Sequence, residues 1–595
     1  MKQVVATAGH VDHGKSTLIH ALTGTDPDRL GEEKQRGLTI ELGFAWMELP
    51  SGEVSFVDVP GHERFLGTML AGLGPSPLVC FVIAADEGWC AQSGDHRDAL
   101  AALGLDQGLL VITRTDLAPG RADTVLAEAR AELAGTGLAD APAVAVSAVT
   151  GDGLPALCAL LDEVVRRAPE PSAAQRVRLW VDRSFTIAGA GTVVTGTLPA
   201  GTLTRGDPLE LAGARRGRDA VVRGLQTRGG PVGSLGPVSR AAVNLRGTPA
   251  EDIGRGDALL TPGAWELCGV LDVRRASGEG YDDTPAQLMV HVGTAAVPAR
   301  VRPLGADHAR LTLDRPLPLA VGDRLVLRTT SSRAVRGGAL VLDVDPPSLD
   351  RRGDGHRRAL TLEAMPPEGD VRTEVARRRA MRENALVRAG IAVPAPLPSP
   401  VQRRGEWLVD TSALQAWSRR LREVVVADRE ADPLSPGLPR KAAVDALDLP
   451  DPALLDAVVD AAGLHRGEGR VREAAETGPL GEAEPAVRRL EQSLGEHPFE
   501  APEADHLLAL GLGPRELAAA ARQGRLLRLP GEVILLPTAP ALAMRELARL
   551  PQPFTTSQAR QALSTTRRIA IPLLEHLDAR GWTRRPDPGH REVVR

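Results

Sequence analysis

Residues 4–17 read Val4-Val5-Ala6-Thr7-Ala8-Gly9-His10-Val11-Asp12-His13-Gly14-Lys15-Ser16-Thr17, and this stretch decides the fold of the first domain. The apolar run before Gly9 has the length of a buried strand, and helical spacing begins at Lys15. Between them, Gly9 to Ser16 fits G-x-x-x-x-G-K-[ST], a loop whose backbone N–H groups curl around phosphates. The helix N-terminus adds positive potential at the same point. Lys15 is placed to reach the β- and γ-phosphates, and the Ser16 hydroxyl to ligate Mg²⁺. Gly9, Asp12, His13, Gly14 and Thr17 complete the candidate nucleotide-binding set in this loop.

Outward from the loop, short apolar strands alternate with helical patterns as far as residue 168. VSFVDVP (54–60), LVCFVIAAD (78–86), GLLVITRTD (108–116) and PAVAVSA (142–148) read as buried strands. DHRDALAALG (95–104), TVLAEARAELAG (124–135) and LPALCALLDEVVRRA (154–168) read as helices. Such alternation predicts a mostly parallel sheet wrapped by helices. Further chemistry falls at the strand ends. Asp58 can hold the Mg²⁺ shell, and the Gly61 N–H can sense a γ-phosphate. Thr39, within Arg36-Gly37-Leu38-Thr39-Ile40-Glu41, can complete the metal shell only when that phosphate is present, so its loop orders with the nucleotide. Asp116, after Thr113, can accept both guanine N–H donors, selecting guanine over adenine. Ser147 and Ala148 can offer a backbone N–H to guanine O6.

GHVDHGKST (9–17), RGLTIELGF (36–44) and DVPGHERF (58–65) resemble the translational GTPases specifically. The resemblance implies GTP as the nucleotide and His62 as the residue that orients the attacking water. One position departs from it: Arg114 stands where the family's guanine motif has lysine. Its aliphatic stem can still cover the base.

From residue 175 the texture changes to short strands split by glycine-rich turns, which suggests two consecutive β-barrels. Near 345–360 the chain is proline-rich and charged, and beyond it becomes helical. A loose repeat of helix, break, helix, glycine and hairpin occurs at 444–466, 508–529 and 559–585, with a diverged unit at 370–430. Each copy reads as a helix-turn-helix module with a β wing. The expected fold class is therefore an α/β P-loop GTPase domain, two β-barrels and mainly α winged-helix repeats. The expected bounds are 1–168 for the GTP-binding domain, 175–262 and 266–345 for the barrels, and 346–370 for a linker. Four modules follow at 371–435, 436–480, 481–545 and 546–595.

VDRSFTIAGAGTVVTGTL (181–198) and HVGTAAVPARVRPL (291–304) resemble the second and third domains of the selenocysteine-specific elongation factors, whose winged-helix tail elongation factor Tu lacks. That resemblance implies three partners: selenocysteinyl-tRNA, the ribosome at UGA, and an insertion hairpin in the mRNA held by the last module. A selenol is far more acidic than a cysteine thiol of pKa about 8.5, so selenocysteine is an anion where the serylated precursor is neutral. A pocket of fixed positive charge favours the anion and gains nothing with serine. On the family's second-domain motifs, Arg183 and Arg240 fall at the pocket arginines, with Asp182 to orient them. In the last module, residues 551–595 hold eight arginines against four acidic residues in a chain of net charge -5. A local basic patch is the footprint of nucleic acid. Thr565, Thr566, Arg567 and Arg568 are the candidate hairpin-binding residues, with Ile569, Leu573, Leu574 and Leu577 packing inward at helical spacing.

The remaining composition fits this reading. Hydrophobic residues make up 43% and charged ones 25% of 595 residues, an ordinary globular mixture. Cys80, Cys90, Cys158 and Cys268 have no CxxC spacing, so they read as buried thiols in a reducing compartment, neither a disulfide framework nor a zinc site. No membrane span or signal peptide is legible, and a cytoplasmic monomer is expected. Two alternatives stay open at this stage. One is a general elongation or initiation GTPase with an unrelated tail, the other a non-catalytic RNA-binding regulator that uses GTP as a structural ligand.

Overall fold

The computed structural model describes residues 2–27, 39–169, 171–189, 191–213, 218–329, 334–432, 434–467, 469–473 and 480–594. Of the motif RGLTIE, Arg36, Gly37 and Leu38 lie outside the described residues. The chain forms two compact units, one of residues 1–374 with 382–398, the other of 375–381 with 399–595. No helix among the described residues is long and apolar enough to cross a membrane.

The first unit begins with a six-stranded sheet. Its strands are β1 (Lys2–Ala8), β2 (Gly43–Leu49), β3 (Gly52–Asp58), β4 (Leu78–Ala84), β5 (Gly108–Thr113) and β6 (Ala143–Ala145), in the order β2-β3-β1-β4-β5-β6. Only the β2–β3 pair is antiparallel. Helices α1 (Lys15–Thr23), α2 (Leu66–Leu73), α3 (Ala91–Leu103), α4 (Ala122–Glu132) and α5 (Leu154–Arg167) cover it. Every residue of β4 and β5 is buried, which is why both read as unbroken apolar runs rather than alternating ones. Separate cores form on the two faces, one around Phe81, Met69 and Leu100, the other around Phe56, Leu18 and Leu161. The strands' C-terminal ends therefore share one edge, where ligands bind in open α/β sheets.

Next comes an antiparallel eight-stranded sheet between Arg178 and Leu260, wrapped around Leu179, Val194, Val222 and Val243. A closed six-stranded barrel follows, from Glu266–Gly278 to Val335–Asp343. Strict alternation along Ser239–Arg246, with Ala241, Val243 and Leu245 inward, sets which face Arg240 occupies.

Two expected boundaries are corrected. The stretch 346–370 carries a helix, Asp354–Glu363, rather than a bare linker. One of its charges is not solvated: Arg358 is buried and donates to Asp272 at 2.6 Å and to Asp343 at 2.5 Å on the barrel. Residues 382–398 belong with the first unit instead of the first helical module. The Arg176 guanidinium holds them there by donating to the Val387 and Arg388 carbonyls, each at 2.8 Å.

In the second unit, short helices and two- or three-stranded wings repeat, but their cores are shared. Trp417 and Leu421 of the helix Thr411–Ala431 pack in one cluster with Leu447 and Val458 of the following repeat. Leu529 and Val533 likewise join Phe554, Ile569 and Leu573. No repeat of this size buries its apolar face alone, so neighbours are joined.

Candidate functional site

The loop between β1 and α1 takes its shape from what surrounds it. Gly9 has φ +130°, and a Cβ there would meet the Val82 carbonyl oxygen at 2.1 Å. Glycine is thus required for the loop to lie against β4. Gly14 stands at the helix N-cap without a side-chain cap bond, leaving the first N–H groups of α1 open toward a ligand. Lys15 is buried and donates from Nζ to the Gly9 and His10 carbonyls at 3.0 and 2.7 Å, which holds the ammonium at the centre of the loop.

A cavity of about 460 Å³ opens here, lined by Val11, Asp12, Gly14, Lys15, Ser16, Thr17, Thr39, Gly61, Thr113, Arg114, Asp116, Leu117, Ala148 and Val149. Ser16 Oγ donates to Asp58 Oδ2 at 2.6 Å and lies 3.0 Å from Thr39 Oγ1. Thr7, which sequence reasoning missed, donates to Asp58 Oδ1 at 2.7 Å and accepts the Val59 N–H at 3.1 Å. Two hydroxyls and one fixed carboxylate thus converge as hard oxygen donors, a set that fits Mg²⁺ rather than a softer ion. Gly61 sits against the loop so closely that a Cβ would reach Lys15 Nζ at 2.6 Å, which places its backbone beside the ammonium.

Not every candidate acts through its side chain. The Thr113 hydroxyl donates to the His13 carbonyl at 2.7 Å, bracing the loop from β5. His13 turns its ring away from the cavity, with Nδ1 3.4 Å from the Val82 carbonyl. Ser147 has its N–H committed to the Asp152 carbonyl at 2.9 Å, and of these two candidates Ala148 is the one that lines the cavity. Arg114, at φ +53°, lays its stem along the cavity and donates to Glu87 at 2.8 Å. His62 is half-buried outside the cavity lining, accepting the Arg64 N–H at 3.2 Å.

Sequence reasoning also missed His96 on α3. Its Nδ1 accepts the Gly9 N–H at 3.2 Å, and the ring hydrogen-bonds the Gly61 backbone as well. Burial first, then the Lys15 charge, lowers its pKa to about 3, so the ring is neutral and bridges both phosphate-facing segments. Gln92, one turn earlier, accepts the Val11 N–H at 3.2 Å.

A second cavity, of about 440 Å³, lies between β2–β3 and the following sheet, with Phe44, Trp46, Arg183, Phe185 and Arg240 in its wall. Asp182 accepts from Arg240 Nη1 and from the Thr195 hydroxyl. Burial raises the Asp182 carboxyl, but Arg240 and Thr195 outweigh it and hold the group below the usual carboxylate range. Arg183 is oriented differently from expectation: it donates to Glu41 at 2.8 Å and to the Leu42 carbonyl at 3.0 Å, not to Asp182.

Comparison with known proteins decides among the readings. The family profile for the elongation factor Tu GTP binding domain matches residues 2–169. That for the selenocysteine-specific elongation factor β-barrel domain matches 283–348, and that for the elongation factor SelB winged helix matches 545–591. The selenocysteine-specific elongation factor of Escherichia coli strain K12 is 31% identical across 99% of this chain and 98% of its own. The chain belongs to the selenocysteine-specific elongation factors. That of Desulfomicrobium baculatum is 38% identical over 57% of this chain and 56% of its own. A crystal structure of a bacterial selenocysteine-specific elongation factor covers all of both chains with a TM-score of 0.80 at 25% identity. This elongation factor is accordingly a translational GTPase. The alternative of an unrelated tail is overturned, because the likeness runs through the winged helices.

In the last winged helix of this elongation factor, the four residues expected to face RNA divide into two pairs. Thr565 is buried and donates to the Phe499 carbonyl at 2.5 Å. Arg568 donates to the Ala501 carbonyl at 2.9 Å and pairs with Glu503 at 3.3 Å. Both join the module to the preceding one, a long-range use that local sequence does not reveal. Thr566 and Arg567 are exposed, at the N-terminus of the helix Arg567–Ala579. Thr566 holds the N-cap position without a side-chain cap bond. The basic patch also shrinks: Arg584 pairs with Glu592, while Arg585 and Arg591 pair with Asp578.

Proposed function

We propose that this factor carries selenocysteinyl-tRNA to ribosomes at UGA codons marked by an mRNA hairpin, holding the hairpin with its last module and releasing the tRNA on GTP hydrolysis. The observation that carries this reading is the placement of two guanidinium groups, Arg183 and Arg240, in one cavity wall with Phe44 and Trp46. Fixed cations beside aromatic faces suit an anionic selenolate and give a neutral serine hydroxyl no compensation for its desolvation.

In the nucleotide cavity the backbone of residues 9–14 and Lys15 bind the phosphates, and Asp116 with the Ala148 N–H selects guanine. Ser16, Thr39 and Asp58 would hold Mg²⁺, which when bound neutralises charge on the β- and γ-phosphates. His62 would have to swing from its contact with the Arg64 N–H toward the cavity to orient water. Its position outside the cavity lining suits a GTPase that waits for the ribosome. Arg183 grips Glu41 and Leu42, two and three residues beyond Thr39. Ordering of Thr39 by GTP therefore pulls directly on the contacts of the amino-acid pocket, which ties cargo affinity to the nucleotide.

The test is a reconstituted translation of an mRNA with an in-frame UGA. Incorporation of selenocysteine should depend on the full-length factor, GTP and a hairpin in the same mRNA. Equal incorporation with the hairpin deleted would contradict the role given to the last module.

A further inference from the structure

Behind the phosphate loop lies a second group of side chains that nucleotide binding does not use. Donor atoms of His10, Glu87 and Cys90 all lie within 4.8 Å of one another. His13 faces the same spot. It is fully buried, its Nε2 has no hydrogen-bond partner among the described residues, and that nitrogen is 3.9 Å from Glu87 Oε2. The other ring nitrogen, Nδ1, points at the Val82 carbonyl at 3.4 Å. A histidine that donates from one nitrogen to a carbonyl while presenting a bare lone pair at the other is in the tautomer of a metal ligand. His10 also has a buried nitrogen, Nδ1, without a partner. A buried unpaired imidazole nitrogen is costly in a packed interior, and His10, Glu87 and Cys90, with His13 Nε2 beside that carboxylate, make a set of mixed nitrogen, sulfur and oxygen donors.

We propose that His10, Glu87 and Cys90, closed by His13, bind a divalent transition metal of the zinc class. Thiolate and imidazole ligands favour zinc over magnesium, so the site does not compete with the oxygen donors of Ser16, Thr39 and Asp58. Both imidazoles are suited to ligation, because burial lowers the pKa of each and leaves it neutral at neutral pH. Cys90 is a thiol in the absence of metal, its pKa raised by burial and by Glu87 and Glu128, so binding releases its proton to solvent. The metal–ligand distances of roughly 2.0–2.3 Å require the donors to draw in, and exposed Glu87 has the reach for it. Glu87 is also the partner of Arg114 at 2.8 Å, and the His10 carbonyl accepts from Lys15. Metal binding therefore competes with the ion pair that steadies the guanine side of the cavity, while pinning residue 10 beside the phosphate side. Linear spacing hides the set, since Cys90 joins two loop histidines some eighty residues away.

The experiment uses the full-length chain in excess Mg²⁺ and titrates Co²⁺ as a spectroscopic probe. The wild type should develop a thiolate-to-cobalt charge-transfer band with tetrahedral visible absorption, bleached by Zn²⁺. Cys90→Ser should lose that band and bind Co²⁺ at least about ten-fold more weakly, since even outer partners of a metal site cost 10–100-fold. Cys158→Ser, which removes the other half-buried thiol, should keep the band. Zn²⁺ should weaken GDP binding several-fold in the wild type and not in Cys90→Ser, whose metal-free GTP turnover should match the wild type. Absence of a thiolate band in the wild type, or its survival in Cys90→Ser, would overturn the site. A Zn²⁺ effect on GDP of equal size in both proteins would overturn the coupling.

Discussion

The Arg240 guanidinium lies 3.9 Å from the centre of the Phe44 ring. Phe44 belongs to the GTPase sheet and Arg240 to the sheet that follows, so one cation–π contact joins the two domains at the wall of the second cavity. Asp182 fixes the other side of the same guanidinium. A cation held in place this way would need little further ordering to bind the proposed cargo.

Replacing that cation while keeping its bulk, in Arg240→Met, should remove discrimination more than affinity for tRNA as a whole. A hydrogen bond to a charged group contributes about 1.5–3 kcal/mol, so preference for selenocysteinyl- over seryl-tRNA should fall roughly ten- to hundred-fold. Paired equilibrium binding of the two tRNAs in GTP reads this out. An unchanged preference would remove Arg240 from the pocket.

Asp116 lines the nucleotide cavity, and the proposed guanine recognition makes it the acceptor for the base's N–H groups. In Asp116→Asn the amide would present a donor where guanine also donates. GTP affinity should fall by at least about ten-fold, while xanthosine triphosphate, with a carbonyl at that position, should bind better than GTP. Competition with a fluorescent GDP analogue measures both.

Three buried histidines make stability sensitive to acid. Burial lowers His96 to about 3 and His13 and His291 to about 4, with Lys15, His10 and Arg328 among the lesser causes. Their unfolded pKa is about 6.5, so as pH falls below that value the unfolded chain takes up protons first. Their contribution is thus whole above about 6.5 and is lost progressively toward the folded values. At pH 5 each costs roughly 2 kcal/mol. The first urea transition should move to lower urea between pH 7.5 and pH 5, and His96→Gln should flatten that dependence. A variant with the wild-type slope would mean that His96 titrates in the folded protein.

The two arginines of the last module should separate cleanly. Arg567→Ala should weaken hairpin binding and reduce the slope of log affinity against log salt by about one. Arg568→Ala should leave that slope alone and instead lower the stability of the joined third and fourth modules, because the Ala501 carbonyl and Glu503 lose their partner. Salt-dependent binding and hydrogen exchange at Phe499 to Glu503 distinguish the two.

How much of this was legible depended on whether the cause was local. The phosphate loop was readable because Gly9 and Gly14 take positive φ, a local backbone demand that marks glycine in the motif. The α/β sheet was readable because β4 and β5 are buried on both faces and so wholly apolar. Thr7, Gln92 and His96 were not, because each acts across the fold: His96 meets Gly9 from 87 positions away. The charged stretch before residue 360 misled for the same reason. Arg358 and Asp272 neutralise each other beneath the helix that packs on the barrel, from 86 positions apart, and sequence shows only two charges. Thr565 and Arg568 carried the polarity of an RNA surface, yet they are spent on a junction between modules.

Selection of an anionic amino acid on its tRNA is the task proposed for two fixed cations, Arg183 and Arg240. The most direct measurement follows hydrolysis of the aminoacyl ester on selenocysteinyl- and seryl-tRNA with the full-length, GTP-loaded factor. The selenocysteinyl ester should be strongly protected at concentrations that leave the seryl ester as labile as without protein. Equal protection of both would contradict it.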